Sequence, residues 1–253
     1  MAPIDLRPLA STAREVAAEW GLELGPPFAR ARYSYVAPAG KGTILKVTPG
    51  DDDESDEEGD ALALWAGDGA AGLMRRDAGR RALVIERADP GTDLAELPED
   101  QATAIAVDVG LRLWRPAADP FRWIGDHVPR WLDNAETGAG RGLLPIARSL
   151  YDRLDIGRAT LVHGDFHHHN ILAAGSRFVA IDPKPMLGEP EYDVASFLWN
   201  PLSYRMRLDV TERRLAAFAA AGLDEARMRA WAVIRGAYLG ADEGEAEVLR
   251  ALV

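Results

Sequence analysis

The central motif of the chain is Leu161-Val162-His163-Gly164-Asp165-Phe166-His167-His168-His169-Asn170-Ile171-Leu172. Within it a carboxylate, Asp165, and an amide, Asn170, stand five residues apart behind a His-Gly pair. A second carboxylate, Asp182, follows twelve residues after Asn170, at the end of the apolar run 178–181. The sequence therefore presents three oxygen-bearing side chains in a fixed order, around the end of one predicted strand and the end of another.

This order and spacing are typical of a kinase catalytic loop followed by a metal-binding aspartate. Phosphoryl transfer needs a carboxylate that orients the acceptor hydroxyl and accepts its proton, and it needs oxygen ligands that hold Mg²⁺ against the phosphates. Asp165, Asn170 and Asp182 supply those groups in the expected order. An isolated Asp165 would more often form a turn, so the combined pattern carries the prediction.

Composition narrows the classes of protein to consider. The 253 residues suffice for one large domain or two small lobes, and the absence of cysteine excludes disulfides, thiolate zinc sites and cysteine nucleophiles. We find no signal-peptide pattern and no apolar run near the roughly 20 residues that span a bilayer, so we expect a cytoplasmic protein without a membrane partner. The net charge of −11 argues against nucleic-acid binding. It is compatible with a cationic ligand, although many soluble proteins are equally acidic.

The pattern of apolar residues predicts an α+β fold of two lobes. Helix signals over residues 12–20, ending at Gly21, precede β-prone runs at 33–36, 43–47, 73–76 and 82–87. After residue 88 the pattern becomes helical, with starts near Pro98 and near residues 190, 211 and 224, interrupted by a strand-loop-strand unit at 160–182. We therefore place a small strand-rich lobe at residues 1–88 and a larger helical lobe at residues 89–253.

Lys46 is the one charge inside the β-prone run 43–47. A lysine on such a strand contacts the ATP phosphates in kinases and pairs with a glutamate on the next helix, although a lone lysine usually just faces solvent. Glu58 is the favoured partner, and Glu57 and Asp60 compete for that role. The dense acidic run 51–58 can also be only a solvated loop before a helix.

Further candidates are placed by position alone. Residues Glu86, Arg87 and Ala88 end the small lobe, where a kinase offers backbone groups to the adenine ring.

The three consecutive histidines at 167–169 raise zinc binding as an alternative, but adjacent histidines point in different directions, so loop packing is the favoured interpretation. Asp193 is predicted to cap or brace the catalytic loop, with contact to substrate amines as the alternative.

Together these segments resemble the aminoglycoside phosphotransferases, and more narrowly the branch of streptomycin 6-phosphotransferases and hydroxyurea phosphotransferases. The matching segments lie at residues 43–47, 61–67, 83–92, 163–172, 180–185 and 192–195. The resemblance implies a protein-kinase-like fold and ATP-dependent phosphorylation of a small-molecule hydroxyl. It implies Asp165 as catalytic base, Asn170 and Asp182 as Mg²⁺ ligands, and Lys46 as the ligand of the ATP phosphates.

The acceptor is less determined by the sequence. The leading interpretation is a resistance enzyme that phosphorylates a streptomycin-type aminoglycoside. We expect this enzyme to be a monomer. Hydroxyurea, another natural product or a metabolite is the nearest alternative, and a nucleotide-binding pseudokinase is a third. Carboxylates would bind a cationic acceptor, and the candidates are Asp193, Glu189, Glu191, Asp242, Glu243 and Glu245.

Overall fold

The computed structural model describes residues 6–29, 31–52, 56–135, 139–201 and 205–253, and residues 53–55 of the acidic run lie outside it. The chain forms two compact units. Unit 1 comprises Met1–Thr92 and Leu172–Lys184, and unit 2 comprises Asp93–Ile171 and Pro185–Val253.

The helices and strands are as follows. The α-helices are α1 (Arg7–Trp20), α2 (Glu58–Trp65), α3 (Glu99–Leu113), α4 (Val128–Asn134), α5 (Leu144–Tyr151), α6 (Pro190–Leu198), α7 (Leu208–Ala220), α8 (Glu225–Leu239) and α9 (Glu243–Arg250). The strands are β1 (Tyr35–Pro38), β2 (Thr43–Val47), β3 (Leu73–Asp77), β4 (Ala82–Glu86), β5 (Pro90–Asp93), β6 (Arg115–Pro116), β7 (Thr160–Val162), β8 (Ile171–Ala174), β9 (Arg177–Ala180) and β10 (Met186–Gly188). The predicted α+β class is confirmed, whereas the strand predicted at 33–36 lies at 35–38 and the helix predicted near 211 begins at Leu208.

Unit 1 is built on a four-stranded antiparallel sheet in the order β1-β2-β4-β3. Helix α1 packs on this sheet, and Val16 and Ala17 share one buried cluster with Leu45, Val47 and Val84. The strands contribute alternate residues to that cluster because successive side chains of a strand point to opposite faces. As a result Lys46, between Leu45 and Val47, faces away from α1.

Helix α1 begins earlier than the sequence pattern indicates. It starts at Arg7 instead of Thr12, and Thr12 donates its hydroxyl to the carbonyl of Pro8 inside the helix, so it does not act as a cap. The predicted end is confirmed, since Gly21 closes the helix with a left-handed φ of 67°, a conformation that glycine adopts without strain.

Unit 2 is organised around α8, which packs against α4, α5, α6, α7 and α9. Most of α8 is buried, and a Cβ at Gly236 would lie only 2.3 Å from Leu249 and 2.8 Å from Trp199. Glycine is therefore required there for α8 to lie close to its neighbours. The antiparallel sheet β10-β7-β6 lies in the same unit and leads through β7 into the catalytic motif.

The units do not divide the chain at residue 88 as a linear reading of the sequence suggests. The segment Leu172–Lys184 returns to unit 1, because Ala180 bonds the backbone of Gly69 and Ala71 and because Gly175 donates to Asp89. Local sequence carries no sign of this return, which depends on pairing between segments about 100 residues apart. In the part of the chain that the structure describes, we find no helix that is long and apolar enough to span a bilayer.

A buried arginine ties α3 to α7 in unit 2. Arg214 is 1% exposed and donates to both carboxylate oxygens of Glu99, at 2.6 and 2.8 Å, as well as to the carbonyls of Phe197 and Asn200. We expect Arg214→Leu to lower the free energy of unfolding by about 3 kcal/mol, because the partly buried Glu99 carboxylate and the buried Phe197 carbonyl would lose their donor. Chemical denaturation measures this loss.

The matched control is Arg213→Gln on the same helix. The Arg213 side chain is 57% exposed and lies 3.7 Å from an exposed carboxylate, so its removal should change stability by less than about 0.5 kcal/mol. Equal losses in the two variants would contradict a structural role specific to Arg214.

Candidate active site

Lys46 forms a charged cluster inside unit 1. Its ammonium group lies 2.7–2.8 Å from the two carboxylate oxygens of Glu58 and 2.5 Å from Oδ1 of Asp182. Strand β2 carries the lysine, the first turn of α2 carries Glu58, and Asp182 follows β9. Of the other acids considered as partners, Asp60 forms an ion pair with Arg76, so Glu58 is the acid that the structure brings to Lys46.

Within this cluster the Lys46 ammonium group is buried, whereas the Asp182 carboxylate is accessible to solvent. Lys46 and Glu58 are 5% and 1% exposed, whereas the Asp182 side chain is 49% exposed. Burial alone would lower the pKa of Lys46, but the carboxylates of Asp182 and Glu58 outweigh burial and raise it, so the lysine stays charged. Asp182 has a left-handed φ of 55°, which is uncommon for a residue with a side chain and often marks functional positions.

The end of β4 contains the residues predicted for adenine. The Glu86 carboxylate accepts from the Gly72 N–H at 3.1 Å and from Arg177 at 2.5 Å. The N–H groups of Glu86 and Arg87 donate to carbonyls of Gly72 and Gly42. These side-chain and backbone groups are therefore engaged within unit 1, while Ala88 packs beside a small apolar cluster.

The catalytic motif in unit 2 forms a tight loop between β7 and β8. Gly164 adopts a φ of 82°, which reverses the chain directly after β7 and is accessible to glycine at little cost. The amide nitrogen of Asn170 donates to the Asp165 carbonyl at 2.9 Å and to its carboxylate at 3.1 Å. The structure thus brings Asp165 and Asn170 together, five residues apart, as the spacing predicts.

Asp193 braces this loop from the first turn of α6. Its two carboxylate oxygens accept from the N–H groups of His163 and Gly164, at 2.7 and 2.8 Å, and from the indole of Trp114 at 2.9 Å. Asp193 is fully buried, so the alternative of contact with substrate amines finds no exposed carboxylate there. Burial raises the pKa of Asp193 to about 6, although these hydrogen bonds partly offset the effect.

Two histidines and an arginine lie around the Asp165 carboxylate, whose side chain is 33% exposed. Burial alone would raise its pKa, but His167, Arg235 and His163 more than offset this effect, so the pKa lies well below its usual value. His167 lies 3.4 Å away, and Arg235 lies 3.8 Å away. Asp165 is therefore an ionised, partly accessible carboxylate near neutral pH.

The three consecutive histidines have three separate environments. His167 contacts Asp165, His168 stacks on Phe197 with ring centroids 4.0 Å apart, and His169 lies 2.9 Å from Asp93. Burial is the main reason why the pKa of His168 falls to about 2, so this ring is a neutral packing group. Over the described ranges, no three histidine, aspartate or glutamate side chains converge as metal ligands.

The oxygen donors of Asn170 and Asp182 suit magnesium better than zinc. Asn170 directs its amide nitrogen to Asp165, so its side-chain carbonyl oxygen is the atom that could accept a metal ion. Mg²⁺ prefers oxygen ligands and takes few of them from protein, since water and phosphate oxygens complete its shell. Each of these two side chains therefore offers an oxygen of the kind that Mg²⁺ prefers.

Four of the predicted acceptor-binding carboxylates have structural roles. Glu189 accepts from Arg227 and, at 2.5 Å, from the indole of Trp231, and Glu191 accepts from the Asp224 N–H. Asp242 and Glu245 form a reciprocal capping box at the start of α9. Each of these bonds engages at least one oxygen of the carboxylate with a group of unit 2, so none of the four carboxylates is wholly free for an acceptor.

Glu243 differs from those four because it remains accessible. Its side chain is 93% exposed and its nearest cation, Arg250, is 3.8 Å away. It lies in the first turn of α9, where an acid is also favoured by the positive end of the helix.

Two residues beside the loop were not predicted from the sequence. Trp114 ends α3 and holds Asp193, while Arg235 lies near the end of α8 and faces Asp165. They are 51 and 70 residues from Asp165 in the chain, and no local motif connects either to the loop. Helix packing alone brings them to the site.

Protonation of Asp193 generates a prediction about pH. Its pKa of about 6 in the folded state exceeds the unfolded value of 3.8, so ionising the group costs folded-state free energy, and this cost develops between about pH 4 and pH 6. We compare the free energy of unfolding of the wild type with that of Asp193→Asn. The wild-type value minus the variant value should fall by about 2 kcal/mol from pH 4 to pH 7. Urea unfolding at several pH values tests this, and a constant difference would contradict it.

Comparison with known proteins gives the family. A model described as aminoglycoside/hydroxyurea antibiotic resistance kinase matches residues 29–245. The chain is 31% identical over 245 residues to a hydroxyurea phosphotransferase of Kitasatospora aureofaciens, covering 90% of this chain and 71% of the relative. It is 30% identical over 246 residues to a streptomycin 6-kinase of Streptomyces glaucescens, covering 88% and 79%.

Solved structures share the fold at lower identity. A choline/ethanolamine kinase family protein from Mesorhizobium loti has a TM-score of 0.65 at 12% identity, covering 95% of this chain and 94% of the other. A thermostable mutant of the aminoglycoside phosphotransferase APH(4)-Ia, in a ternary complex with ADP and hygromycin B, has a TM-score of 0.60 at 18% identity and covers 96% of both chains. The fold is thus protein-kinase-like, and the chain belongs to the aminoglycoside/hydroxyurea antibiotic resistance kinase family.

Proposed function

We propose that the protein transfers the γ-phosphoryl group of MgATP to a hydroxyl of a small antibiotic, with a streptomycin-type aminoglycoside as the leading acceptor. The observation that carries this proposal is the buried Lys46–Glu58 pair with Asp182 beside it. A kinase needs that ion pair to hold the phosphates of its nucleotide and needs the neighbouring aspartate for magnesium. The family relationship supports the same reaction class.

Unit 1 is the proposed nucleotide-binding unit. Lys46 would bind the ATP phosphates, and Glu58 would hold the lysine in place. The N–H groups of Glu86 and Arg87 already donate to carbonyls of unit 1. Ala88 is then the preferred residue of the three to offer a backbone donor to adenine.

Unit 2 is the proposed acceptor-binding unit, and it supplies Asp165. This carboxylate would accept a hydrogen bond from the acceptor hydroxyl and take its proton as the new P–O bond forms and the bond to ADP breaks. A carboxylate of low pKa is a weak base, so its main contribution is to orient the hydroxyl for in-line transfer. Asn170 holds Asp165 through its amide and offers its oxygen to the metal.

Magnesium, bound by Asn170 and Asp182, would neutralise charge on the phosphates. The protein's own contribution is geometric: Gly164 reverses the chain after β7, and Asp193 fixes the backbone from which Asp165 projects. We further propose that the enzyme acts as a monomer in the cytoplasm, where ATP is available, and confers resistance because the added phosphate spoils the binding of the drug to its target.

Hydroxyurea is the second candidate acceptor, since a relative that is 31% identical bears the name hydroxyurea phosphotransferase. A natural product or metabolite, or a pseudokinase that binds nucleotide without chemistry, are further alternatives. Incubation of the protein with MgATP and each acceptor, followed by mass spectrometry, separates them. A mass increase of one phosphoryl group on streptomycin supports the proposal, and the same increase on hydroxyurea alone favours the second candidate.

Asp165→Asn tests the assigned base. We expect kcat to fall by about 10²–10⁴-fold, because the amide cannot accept the proton, while nucleotide affinity changes little. Turnover by coupled ADP release and nucleotide binding by calorimetry measure the two quantities. Turnover at the wild-type rate would refute the role of Asp165.

Lys46→Met tests the phosphate ligand. It should lower kcat/KM for ATP by about 10²–10³-fold, because a buried charge aimed at the nucleotide is lost. The variant also leaves Glu58 buried without its cation, which destabilises the fold. The double variant Lys46→Met/Glu58→Gln relieves that charge, so an equally low kcat/KM for ATP in a well-folded double variant assigns the loss to the lysine, whereas recovery of wild-type kinetics would contradict the role.

A further inference from the structure

Arg235 is a buried cation beside the catalytic carboxylate. It lies on α8, is 7% exposed, and places a guanidinium nitrogen 3.8 Å from Oδ1 of Asp165. Its guanidinium carbon lies 5.1 Å from the ring centroid of Tyr192, and the group donates to the Tyr238 hydroxyl at 3.3 Å. These contacts fix the position of the charge next to a carboxylate that is one-third exposed.

The hydrogen-bonding capacity of this guanidinium is largely unused. An arginine carries five N–H donors, and within the described residues the donor bond to Tyr238 is its one hydrogen bond. Its Nε is buried without a partner, and the 3.8 Å separation from Asp165 is too long for a hydrogen bond. A buried charge with spare donors is costly unless another group completes its bonding.

Apart from Asp165 itself, the acids near Arg235 are already engaged in the fold. Asp193 is committed to the loop backbone, and Glu189 and Glu191 are committed to Arg227, Trp231 and the Asp224 N–H. The position next to Asp165 therefore carries a fixed positive charge without a free counter-charge among these acids. A cationic group of a ligand placed there would be repelled, whereas an oxygen would gain hydrogen bonds.

We propose that Arg235 is an acceptor-binding residue that donates hydrogen bonds to an uncharged oxygen of the acceptor, next to the hydroxyl that is phosphorylated. The oxygen belongs to a carbonyl, ether or second hydroxyl group, and any cationic groups of the acceptor are held away from this position. This inference rests on the proposed phosphotransfer to a small acceptor. According to this inference, Arg235 on α8 contributes to acceptor specificity, a role for which the sequence predicted carboxylates.

The sign of the change in acceptor KM tests the inference. Arg235→Met keeps the side-chain bulk but removes all donors, and Arg235→Gln keeps a neutral donor. We expect acceptor KM to rise by about 10–100-fold in Arg235→Met and by less in Arg235→Gln, while KM for ATP stays within about twofold. If Arg235 instead opposed a cationic acceptor group, acceptor KM would fall in both variants, and the inference would be overturned.

Two further measurements separate binding from folding. Arg213→Gln removes an exposed arginine of α7 and should leave both KM values unchanged. In Arg235→Ala, guanidinium chloride added at millimolar concentration should restore part of the acceptor affinity, because the ion can occupy the space left by the side chain. A purely structural role of Arg235 would not give this rescue. If Arg235→Met does not fold, the acceptor KM of Arg235→Gln and the guanidinium rescue decide the question.

Failure of the inference is distinguishable from failure of the proposed function. A wild-type protein that phosphorylates none of the acceptors tested contradicts the function itself. A wild-type protein that is active, together with Arg235 variants of unchanged or lower acceptor KM, contradicts only the role of Arg235.

Discussion

The buried carboxylate of Asp193 is the constraint on which the catalytic loop depends. A loop that turns sharply after a strand exposes backbone N–H groups that need partners, and Asp193 supplies acceptors for those of His163 and Gly164. The indole of Trp114 completes the arrangement. Because the carboxylate is fixed by α6 and α3 together, the backbone that carries Asp165 is held by the packing of unit 2.

Each unit contains a buried cation close to a carboxylate of the predicted site, and the two cations differ in how many of their donors are engaged. In unit 1, Lys46 is saturated by Glu58 and Asp182 and is held ready for a phosphate that would compete for it. In unit 2, Arg235 keeps most of its donors free beside Asp165. The first arrangement is the basis for the proposed nucleotide site, and the second is the basis for the proposed contact with an uncharged oxygen of the acceptor.

Most of the acids predicted to bind a cationic acceptor have partners within the fold. Glu189, Glu191, Asp242 and Glu245 bind groups within unit 2, where they anchor α8 or cap α9. Paired acids of this kind contribute to folding, and their charge is already neutralised or hydrogen-bonded. Net charge alone therefore says little about the local field around Asp165, where a buried cation, Arg235, lies 3.8 Å from the carboxylate.

The sequence by itself determined the order and spacing of the catalytic groups, because these lie within one loop and one following strand end. It also indicated Lys46 and Glu58, since a lone lysine in a strand and an acid opening the next helix leave local signals. Only the tertiary structure decided which acids are committed to the fold, why residues 172–184 return to unit 1, and that Arg235 faces Asp165. Those outcomes arise from contacts between segments distant in the chain, which local periodicity and propensity do not encode.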